Sequence, residues 1–250
     1  MKTKHLLQKR IIHFLFSEKM YNEIKLFKII FEFILRRPYE ISPILPQMIK
    51  NGEIVLDIGA NMGQFACRLN KLVGKNGGVY SFEPVKANYI ALRKMKSVLN
   101  LTNIKTHNVA ISNKDGDATI KIPIQNGIPI TTQSSLVLEP KKFKIEKVKL
   151  RSIDSLVKEL RIPRVDFIKS DTEGNDGNVL AGGYETIKNY LPTMYLEIYH
   201  KKEALKKIYK LGYLPLQYET KKKSIVPITD DQPGDLILIH KSKMKNLCRR

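Results

Sequence analysis

The segment DIGANMG, residues 57–63, has residue types and a spacing that could hold a charged cofactor. It follows a short apolar run and precedes an amphipathic stretch, as in a turn between a strand and a helix. Glycines at such a turn let the backbone pass close to a ligand. A dinucleotide would need the N–H groups of the turn for its pyrophosphate, and the carboxylate of Asp57 would oppose that negative charge. Asp57 therefore favours a cationic cofactor such as S-adenosylmethionine, which carries a sulfonium and an ammonium group.

A second acidic residue, Glu83, closes the apolar run VYSF and stands 20 residues after Gly63. At that position a carboxylate can accept hydrogen bonds from both ribose hydroxyls of an adenosine. NAD and S-adenosylmethionine both contain an adenosine, so Glu83 predicts an adenosine-containing ligand but does not distinguish between the two cofactors. The alternative is a glutamate that only ends a strand.

A third cluster, KSDTEGND, covers residues 169–176. Methyl transfer to a hydroxyl needs a group that orients the acceptor and takes its proton, and Asp171 is the best candidate. Glu173 could share that work or fix Lys169, and the alternative is that the acidic run only caps the following helix. A divalent metal is conceivable beside Asp171, Glu173 and Asp176, but the spacing is not diagnostic and we predict no metal ligands.

The fourth cluster, EIYH, places Glu197 and His200 at the end of another apolar run. We count both as candidate catalytic residues, together with Asp171, Glu173 and Lys169. A histidine has the pKa that suits a base at neutral pH, although a lone histidine at a strand end is as often only a surface residue.

The elements that must position these clusters are short apolar runs alternating with helical segments from Gly52 onward. Strands that alternate with helices predict right-handed crossovers and a parallel sheet covered on both faces, a doubly wound α/β fold. In such a sheet the ligand crevice lies at the carboxyl ends of the strands, where all four clusters fall.

Two regions depart from this alternation. Residues 113–151 predict a β-rich insertion of short strands, in which the uncharged loop Ile122 to Leu138 is expected to shape the acceptor pocket. The strands near GYLPLQY and DLILIH predict an antiparallel closing pair. We divide the chain into an N-terminal helical cap (1–45), the α/β domain (46–240) and a basic tail (241–250).

The N-terminal cap is predicted to contain two helices that end before Pro38. Its apolar residues recur at helical spacing, and they are Ile24, Phe27, Ile30, Phe31 and Ile34. We favour packing of this apolar face on the core or on a partner subunit. Peripheral contact with a membrane through a basic amphipathic surface is the alternative.

The composition limits the class of protein. With 42% hydrophobic residues the chain can form a core, and its net charge of +20 fits either solvated lysine-rich faces or an anionic partner such as nucleic acid, phosphorylated glycan or acidic lipid. Cys67 and Cys248 form neither a disulfide framework nor a zinc cluster, so a cytoplasmic location is expected. We recognise no transmembrane span and no signal peptide.

The motifs VLDIGANMGQF, VYSFEP, HNVAIS, VDFIKSDTEGND, NVLAGG and YLEIYH, in this order from about Gly52 to His200, resemble the FkbM-type family of S-adenosylmethionine-dependent methyltransferases. The resemblance implies a Rossmann-like class I fold with a doubly wound, mostly parallel seven-stranded sheet whose last strand is antiparallel. It also implies O-methylation of a hydroxyl on a glycan, glycolipid or small metabolite. Ser170 and Thr172 depart from the family's usual KIDVEG, which bears on the choice of acceptor.

By this resemblance the first motif lines the methionine end of S-adenosylmethionine, Glu83 holds the ribose, and the segment from Asn108 to Ala110 borders the adenine. The cofactor-binding residues expected on these grounds are Asp57, Gly59, Ala60, Asn61, Gly63, Glu83, Asn108 and Ala110.

Two other functions remain open at this stage. An RNA 2′-hydroxyl methyltransferase would account for the charge of +20, although the basic runs contain few aromatic side chains on which bases could stack. A non-catalytic module could keep the cofactor fold and dock on a membrane or a partner. The identity of the acceptor and the oligomeric state are not predicted.

Overall fold

A mixed β-sheet with helices on both faces positions the four clusters. The computed structural model describes residues 18–35, 44–125, 127–198, 202–219, 224–228 and 234–246. The α-helices of the described residues are α1 (Glu18–Ile34), α2 (Leu45–Met48), α3 (Gln64–Val73), α4 (Lys86–Val98), α5 (Ile153–Glu159), α6 (Asp176–Gly182), α7 (Tyr184–Tyr190) and α8 (Lys202–Lys210). Short 3₁₀ helices cover Thr131–Gln133 and Lys241–Asn246.

The strands form one large sheet and one small sheet. They are β1 (Ile54–Ile58), β2 (Gly78–Phe82), β3 (Ile104–His107), β4 (Ala110–Ile111), β5 (Gly116–Gln125), β6 (Ile128–Pro129), β7 (Phe143–Arg151), β8 (Phe167–Ser170), β9 (Thr193–Ile198), β10 (Tyr213–Glu219), β11 (Ser224–Pro227) and β12 (Gly234–His240).

The large sheet has the order β11-β10-β12-β9-β8-β1-β2-β3. Strands β3, β2, β1, β8 and β9 run parallel, and β12 is antiparallel to both β9 and β10. The predicted α/β class I fold is confirmed, with its antiparallel last strand β12. The sheet differs from the expected seven strands by one, because β11 pairs with β10 at the edge. With four residues ending in a proline, β11 is too short to show an alternating pattern.

Alternation along the strands divides the core into two layers. Val55 of β1 packs in the layer that also contains residues of α1, α3 and α4. Leu56 and Ile58 of the same strand pack in the opposite layer, with α5, α6, α7 and α8. Because successive side chains of a strand point to opposite faces, Asp57 lies on the same face as Val55.

The insertion is a four-stranded sheet in the order β4-β7-β5-β6. Its main strands are long, since β5 has ten residues and β7 has nine, whereas the sequence predicted short ones. They pair antiparallel from Gly116 opposite Leu150 to Pro123 opposite Phe143. The first half of β7 breaks the pattern of apolar residues inside and polar residues outside, since Phe143 and Ile145 are exposed, while its buried residues pack with Val85 beside α4.

Three further elements differ from the expected ones. The helix predicted over 177–190 is two helices, α6 and α7, which meet at Gly182 and Gly183. A Cβ on Gly182 would lie 2.1 Å from the carbonyl oxygen of Ser112, so the close approach to the end of β4 requires glycine there. The run HNVAIS is divided between β3 and β4. Of the predicted N-terminal cap, α1 is described, and its buried residues Leu26 and Ile29 pack on the first core layer. Among the described helices, none is long and apolar enough to cross a membrane.

Candidate active site

A cleft of about 550 Å³, counting space open to solvent, lies at the carboxyl ends of β1, β2 and β8. Six of the predicted site residues line it, and they are Gly59, Asn61, Glu83, Ala110, Asp171 and Glu173. Asp57, Ala60, Gly63, Lys169 and Glu197 are not among the residues that line it. His200 falls outside the described residues, so its role stays a prediction.

The turn after β1 uses its own N–H groups internally. The N–H groups of Gly59 and Ala60 both donate to the carbonyl of Phe82, and that of Gly63 donates to Ala60. The N–H of Asn61 donates to the Glu83 carboxylate at 2.7 Å. These groups are therefore already engaged within the protein, which argues against the pyrophosphate site of a dinucleotide.

The backbone conformation of this turn explains why glycine occupies positions 59 and 63 and asparagine position 61. Gly59 has φ of 72°, and a Cβ there would lie 1.9 Å from the carbonyl oxygen of Asp171. The close approach that this glycine permits is thus to β8, and a Cβ on Gly63 would overlap the Met95 side chain of α4. Asn61 adopts φ of 51°, a left-handed conformation that asparagine tolerates better than most residues.

Asp57 is fully buried and forms an ion pair with Lys169, with 3.5 Å between Asp57 Oδ1 and Lys169 Nζ. The Ser81 hydroxyl donates to the other carboxylate oxygen at 3.3 Å. Burial raises the pKa of Asp57, and the charge of Lys169 lowers it in part. The sequence argument for a cationic cofactor assumed that the charge of Asp57 is uncompensated within the protein. In the structure Lys169 lies beside it and compensates that charge.

Lys169 is itself only 2% exposed and connects the first and third clusters. Its ammonium donates to the carbonyl of Gly59 at 2.9 Å and lies 3.5 Å from Asp171 Oδ2. It also lies 5.0 Å from the centre of the Phe65 ring of α3. Lys169 does not line the cleft, so its position fits a role in holding the turn against β8.

Glu83 points its carboxylate into the cleft from the end of β2. Its oxygens accept hydrogen bonds from the N–H groups of Asn61 and Val85 and from the side-chain amide of Asn88. Burial raises the pKa of Glu83 to about 7, although these donors and Lys169 lower it. A ligand that donates further hydrogen bonds to Glu83 would favour its ionised form.

Asn88 lines the same part of the cleft and was missed by the sequence analysis. Its Nδ2 donates to Glu83 Oε1 at 3.3 Å and to the Thr131 carbonyl at 3.2 Å, which fixes the orientation of the amide. Its Oδ1 is buried without a hydrogen-bond partner. A buried unpaired acceptor is costly, so this atom is available to a donor from a ligand or from water. In the sequence, its place in the first turn of α4 is the only feature that could have indicated a role in the site.

The segment expected to border the adenine divides into two parts. Val109 and Ala110 line the cleft. Asn108 is exposed outside it, and its side chain donates to the carbonyls of Glu83 and Pro84 at 2.8 and 2.9 Å. Its observed contacts hold the end of β2 in place.

The acidic side of the cleft brings together Asp171, Glu173 and Glu197, whose nearest carboxylate oxygens all lie within 4.8 Å of one another. Burial alone would raise the pKa of Asp171, but the charge of Lys169 and a hydrogen bond with Glu197 bring it below its usual value. Asp171 is therefore held as an anion at neutral pH. The three oxygens are close enough to share a cation, but no observation at the group points to one.

Glu173 differs from Asp171 in both backbone and charge. It has φ of 50°, and the next residue, Gly174, has φ of 92°. A left-handed glutamate is uncommon, and such backbone conformations concentrate at functional sites. Burial, followed by the charges of Asp171 and Asp176, raises the pKa of Glu173 to about 7.

Asp176, which the sequence grouped with Asp171 and Glu173, is not one of the three residues whose carboxylate oxygens converge. The Ser170 hydroxyl donates to Asp176 Oδ1 at 2.6 Å, and burial raises the pKa of Asp176 to about 6. The departure from KIDVEG at Ser170 thus serves an internal hydrogen bond. Thr172, the second departure, lines the cleft and can bear on the acceptor.

The insertion closes the outer side of the cleft, as the loop Ile122 to Leu138 led us to expect. Thr131, Thr132, Ser134 and Leu136 line it. The Ser135 hydroxyl donates to the Glu173 carbonyl at 2.8 Å and accepts from the N–H groups of Val137 and Leu138. The loop is thereby attached to the acidic side at Ser135 and to the Glu83 side through Asn88.

Comparison with known proteins agrees with this geometry. The family model for the methyltransferase FkbM domain matches residues 57–218, which are 162 of the 250 residues. A search of curated protein sequences found no match.

Solved structures of similar fold include the methyltransferase FkbM of Methylobacillus flagellatus, with 18% identity and a TM-score of 0.50 over 74% of this chain and 43% of that one. A SAM-dependent O-methyltransferase of Thermotoga maritima has 12% identity and a TM-score of 0.45 over 84% and 69%. A SAM-dependent methyltransferase of Aquifex aeolicus has 16% identity and a TM-score of 0.43 over 86% and 98%.

At 18% identity and a TM-score of 0.50 the Methylobacillus structure bears on the fold alone, and this chain spans less than half of that protein. The family model, in contrast, covers more than half of the chain and contains the turn, Glu83 and the acidic cluster. The chain therefore belongs to the FkbM methyltransferase family.

Proposed function

We propose that the protein transfers a methyl group from S-adenosylmethionine to a hydroxyl of a glycan, glycolipid or small metabolite. The observation that carries the proposal is a single cleft with an adenosine-type site on one side and carboxylates on the other. Glu83 and Asn88 line the first side, and Asp171 and Glu173 line the second, with Glu197 adjoining them. Family membership supports methyl transfer as the reaction class.

The residues present fit an adenosine. Glu83 offers carboxylate oxygens to ribose hydroxyls, and the unpaired Asn88 Oδ1 offers a further acceptor beside them. Val109 and Ala110 supply apolar contact for a base. S-adenosylmethionine supplies an electrophilic methyl group when bound, and the engaged N–H groups of the turn favour it over a dinucleotide.

For the proton of the acceptor hydroxyl we propose Glu173 as the general base, in preference to Asp171. A base works best when its pKa lies near the working pH, and the pKa of Glu173 is about 7. Asp171 is held ionised by Lys169, which leaves it a weaker base that can accept a hydrogen bond and orient the hydroxyl. Glu197 shares a hydrogen bond with Asp171 and contributes to the same acidic wall.

Lys169 acts in this proposal through the groups it holds. Its bond to the Gly59 carbonyl and its proximity to Asp171 keep the turn and the acidic cluster in register. Asp57 is the buried counter-ion of Lys169 and does not line the cleft, so in this proposal it affects the cofactor only by helping to hold the turn in place.

The test is transfer of a tritiated methyl group to glycans, glycolipids, small hydroxylated metabolites and RNA, combined with calorimetry of S-adenosylhomocysteine binding. We expect binding, and transfer to a hydroxyl of the first three classes. Transfer to RNA alone would establish the alternative suggested by the charge of +20, and binding of NAD in preference to S-adenosylhomocysteine would overturn the cofactor assignment.

Replacing Glu173 by glutamine separates catalysis from binding. We expect Glu173→Gln to bind S-adenosylhomocysteine as the native protein does and to lose about a hundredfold or more in kcat, as removal of a general base does. Glu185→Gln, at an exposed position of α7, is the matched control. If Glu173→Gln leaves kcat unchanged, Glu173 is not the base; absence of transfer in every variant would favour a non-catalytic module.

A further inference from the structure

One face of α1 leaves a stripe of large apolar side chains exposed. Ile24, Phe27, Phe31 and Ile34 are 41%, 70%, 49% and 61% exposed. They recur at spacings of three and four residues, and the rings of Phe27 and Phe31 stack with 6.3 Å between their centres. The opposite face of α1 already anchors the helix on the core through Leu26 and Ile29, so packing among the described residues does not account for the exposed stripe.

The stripe continues onto α4. Glu23 of α1 forms an ion pair with Lys94 of α4, which places the two helices side by side. Ile90 and Val98 lie one turn before and one turn after Lys94, and they are 56% and 59% exposed. The apolar patch therefore consists of Ile24, Phe27, Phe31, Ile34, Ile90 and Val98.

Basic residues predominate on the α4 side of the apolar patch. Four basic residues lie on α4, which contains no acidic residue, and they are Lys86, Arg93, Lys94 and Lys96. Lys28 of α1 pairs with Glu32, and Lys94 pairs with Glu23, so the excess positive charge near the patch comes from the rest of α4 and from the +20 of the whole chain. An occupant of the patch must therefore be apolar at its centre and tolerate or carry negative charge at its edge.

We propose that the apolar patch inserts at the boundary between headgroups and acyl chains of an anionic lipid bilayer. Aromatic and branched side chains flanked by lysine and arginine are the composition that favours such an interface. Anionic lipid attracts the basic rim by about 1 kcal/mol for each residue near the surface. A second copy of the chain fits less well, because it would bring another charge of +20 and a second basic α4 against the first. This inference does not rest on the proposed methyl transfer.

The experiment measures cosedimentation of the full chain with vesicles of phosphatidylcholine, either alone or with a minority of phosphatidylglycerol. We expect binding to the anionic vesicles and little binding to the neutral ones. Raising the salt from about 0.1 to about 1 M shortens the Debye length from about 10 to about 3 Å and should weaken the binding.

The variant Phe27→Ser with Ile34→Ser removes the most exposed part of the patch. We expect its partitioning into anionic vesicles to fall about tenfold or more, because two large apolar side chains no longer leave water. Ile145→Ser on β7 is the matched control, since Ile145 is 57% exposed outside the patch and should not change the binding. Lys86→Gln with Arg93→Gln should weaken the binding about fivefold for each charge removed.

Because all these side chains are exposed, the variants should keep the far-UV circular dichroism of the native protein. Equal binding of the patch variant and the native chain would overturn the proposal, as would absence of binding to anionic vesicles. A concentration-dependent dimer in analytical ultracentrifugation that the patch variant abolishes would assign the patch to a second copy instead.

Discussion

Replacing Lys169 by methionine tests whether the charge of Asp57 is compensated within the fold. The two side chains are 2% and 0% exposed, and methionine matches the unbranched stem of lysine without its charge. In Lys169→Met the carboxyl of Asp57 has the hydroxyl of Ser81 nearby but no cation. It must then either remain as an uncompensated buried anion or take up a proton on folding.

The loss of folding stability in Lys169→Met is set by whichever of these two states has the lower free energy. Breaking a buried ion pair by removing one partner costs ~3–5 kcal/mol. Protonating Asp57 on folding costs about 4 kcal/mol at pH 7, because each pH unit above its ordinary pKa of 3.8 costs about 1.36 kcal/mol. The same reasoning gives about 1.6 kcal/mol at pH 5. We therefore expect the free energy of unfolding to fall by about 4 kcal/mol at pH 7 and by clearly less at pH 5.

The assay is urea denaturation followed by far-UV circular dichroism, since the chain contains no tryptophan. The double variant Asp57→Asn with Lys169→Met removes both charges, and we expect it to recover at least about 2 kcal/mol of the loss. A Lys169→Met protein as stable as the native one at pH 7 would refute the reasoning, and so would a double variant no more stable than the single one.

The double variant also separates two roles for Asp57. Because its carboxylate is buried beside Lys169 and does not line the cleft, we expect the affinity for S-adenosylhomocysteine to change less than about tenfold, the equivalent of ~1.4 kcal/mol. A much larger loss in a folded double variant would show that the charge of Asp57 acts on the cofactor, as the sequence alone suggested.

Two further perturbations test the cleft. The pKa of Glu83 is raised to about 7, and ribose hydroxyls would bind its ionised form, so the affinity for S-adenosylhomocysteine should be about tenfold higher at pH 8 than at pH 6. Calorimetry should find that this pH dependence is lost in Glu83→Gln. A pH dependence that persists in Glu83→Gln would contradict the assignment. Gly59→Ala places a Cβ 1.9 Å from the Asp171 carbonyl oxygen and should reduce the free energy of unfolding more than Gly52→Ala does. Gly52 has a similar positive φ, but a Cβ there would have no atom within 4 Å. Equal losses in urea denaturation would mean that only φ matters at Gly59.

Much of the fold could be predicted from local patterns. The apolar run before Asp57, the amphipathic stretch after Gly63 and the run ending at Glu83 define β1, α3 and β2 with little ambiguity, because each pattern matches one period. Strand β11 could not be predicted because it has only four residues and ends in a proline. The full length of β7 could not be predicted because its first half exposes the apolar Phe143 and Ile145.

The candidate site was predicted in outline for the same reason. Strand ends are visible in the sequence, and parallel strands bring their carboxyl ends to one edge of the sheet, which is why Glu83, Asp171 and Glu173 meet. Asn88 gave no comparable signal, because an asparagine in the first turn of a helix is ordinary until its Oδ1 is seen buried without a partner.

The sequence by itself determined the α/β alternation, the turn, and the acidic residues that reach one cleft, because these depend on periodicity and on glycine and carboxylate chemistry. Only the tertiary structure decided what each charge faces. It placed Lys169 against Asp57, turned Gly59 toward Asp171, and gave Glu173 the pKa of about 7 that suits a base. Charge and burial are properties of a neighbourhood, and neighbours that are distant in the chain appear only when the sheet is assembled.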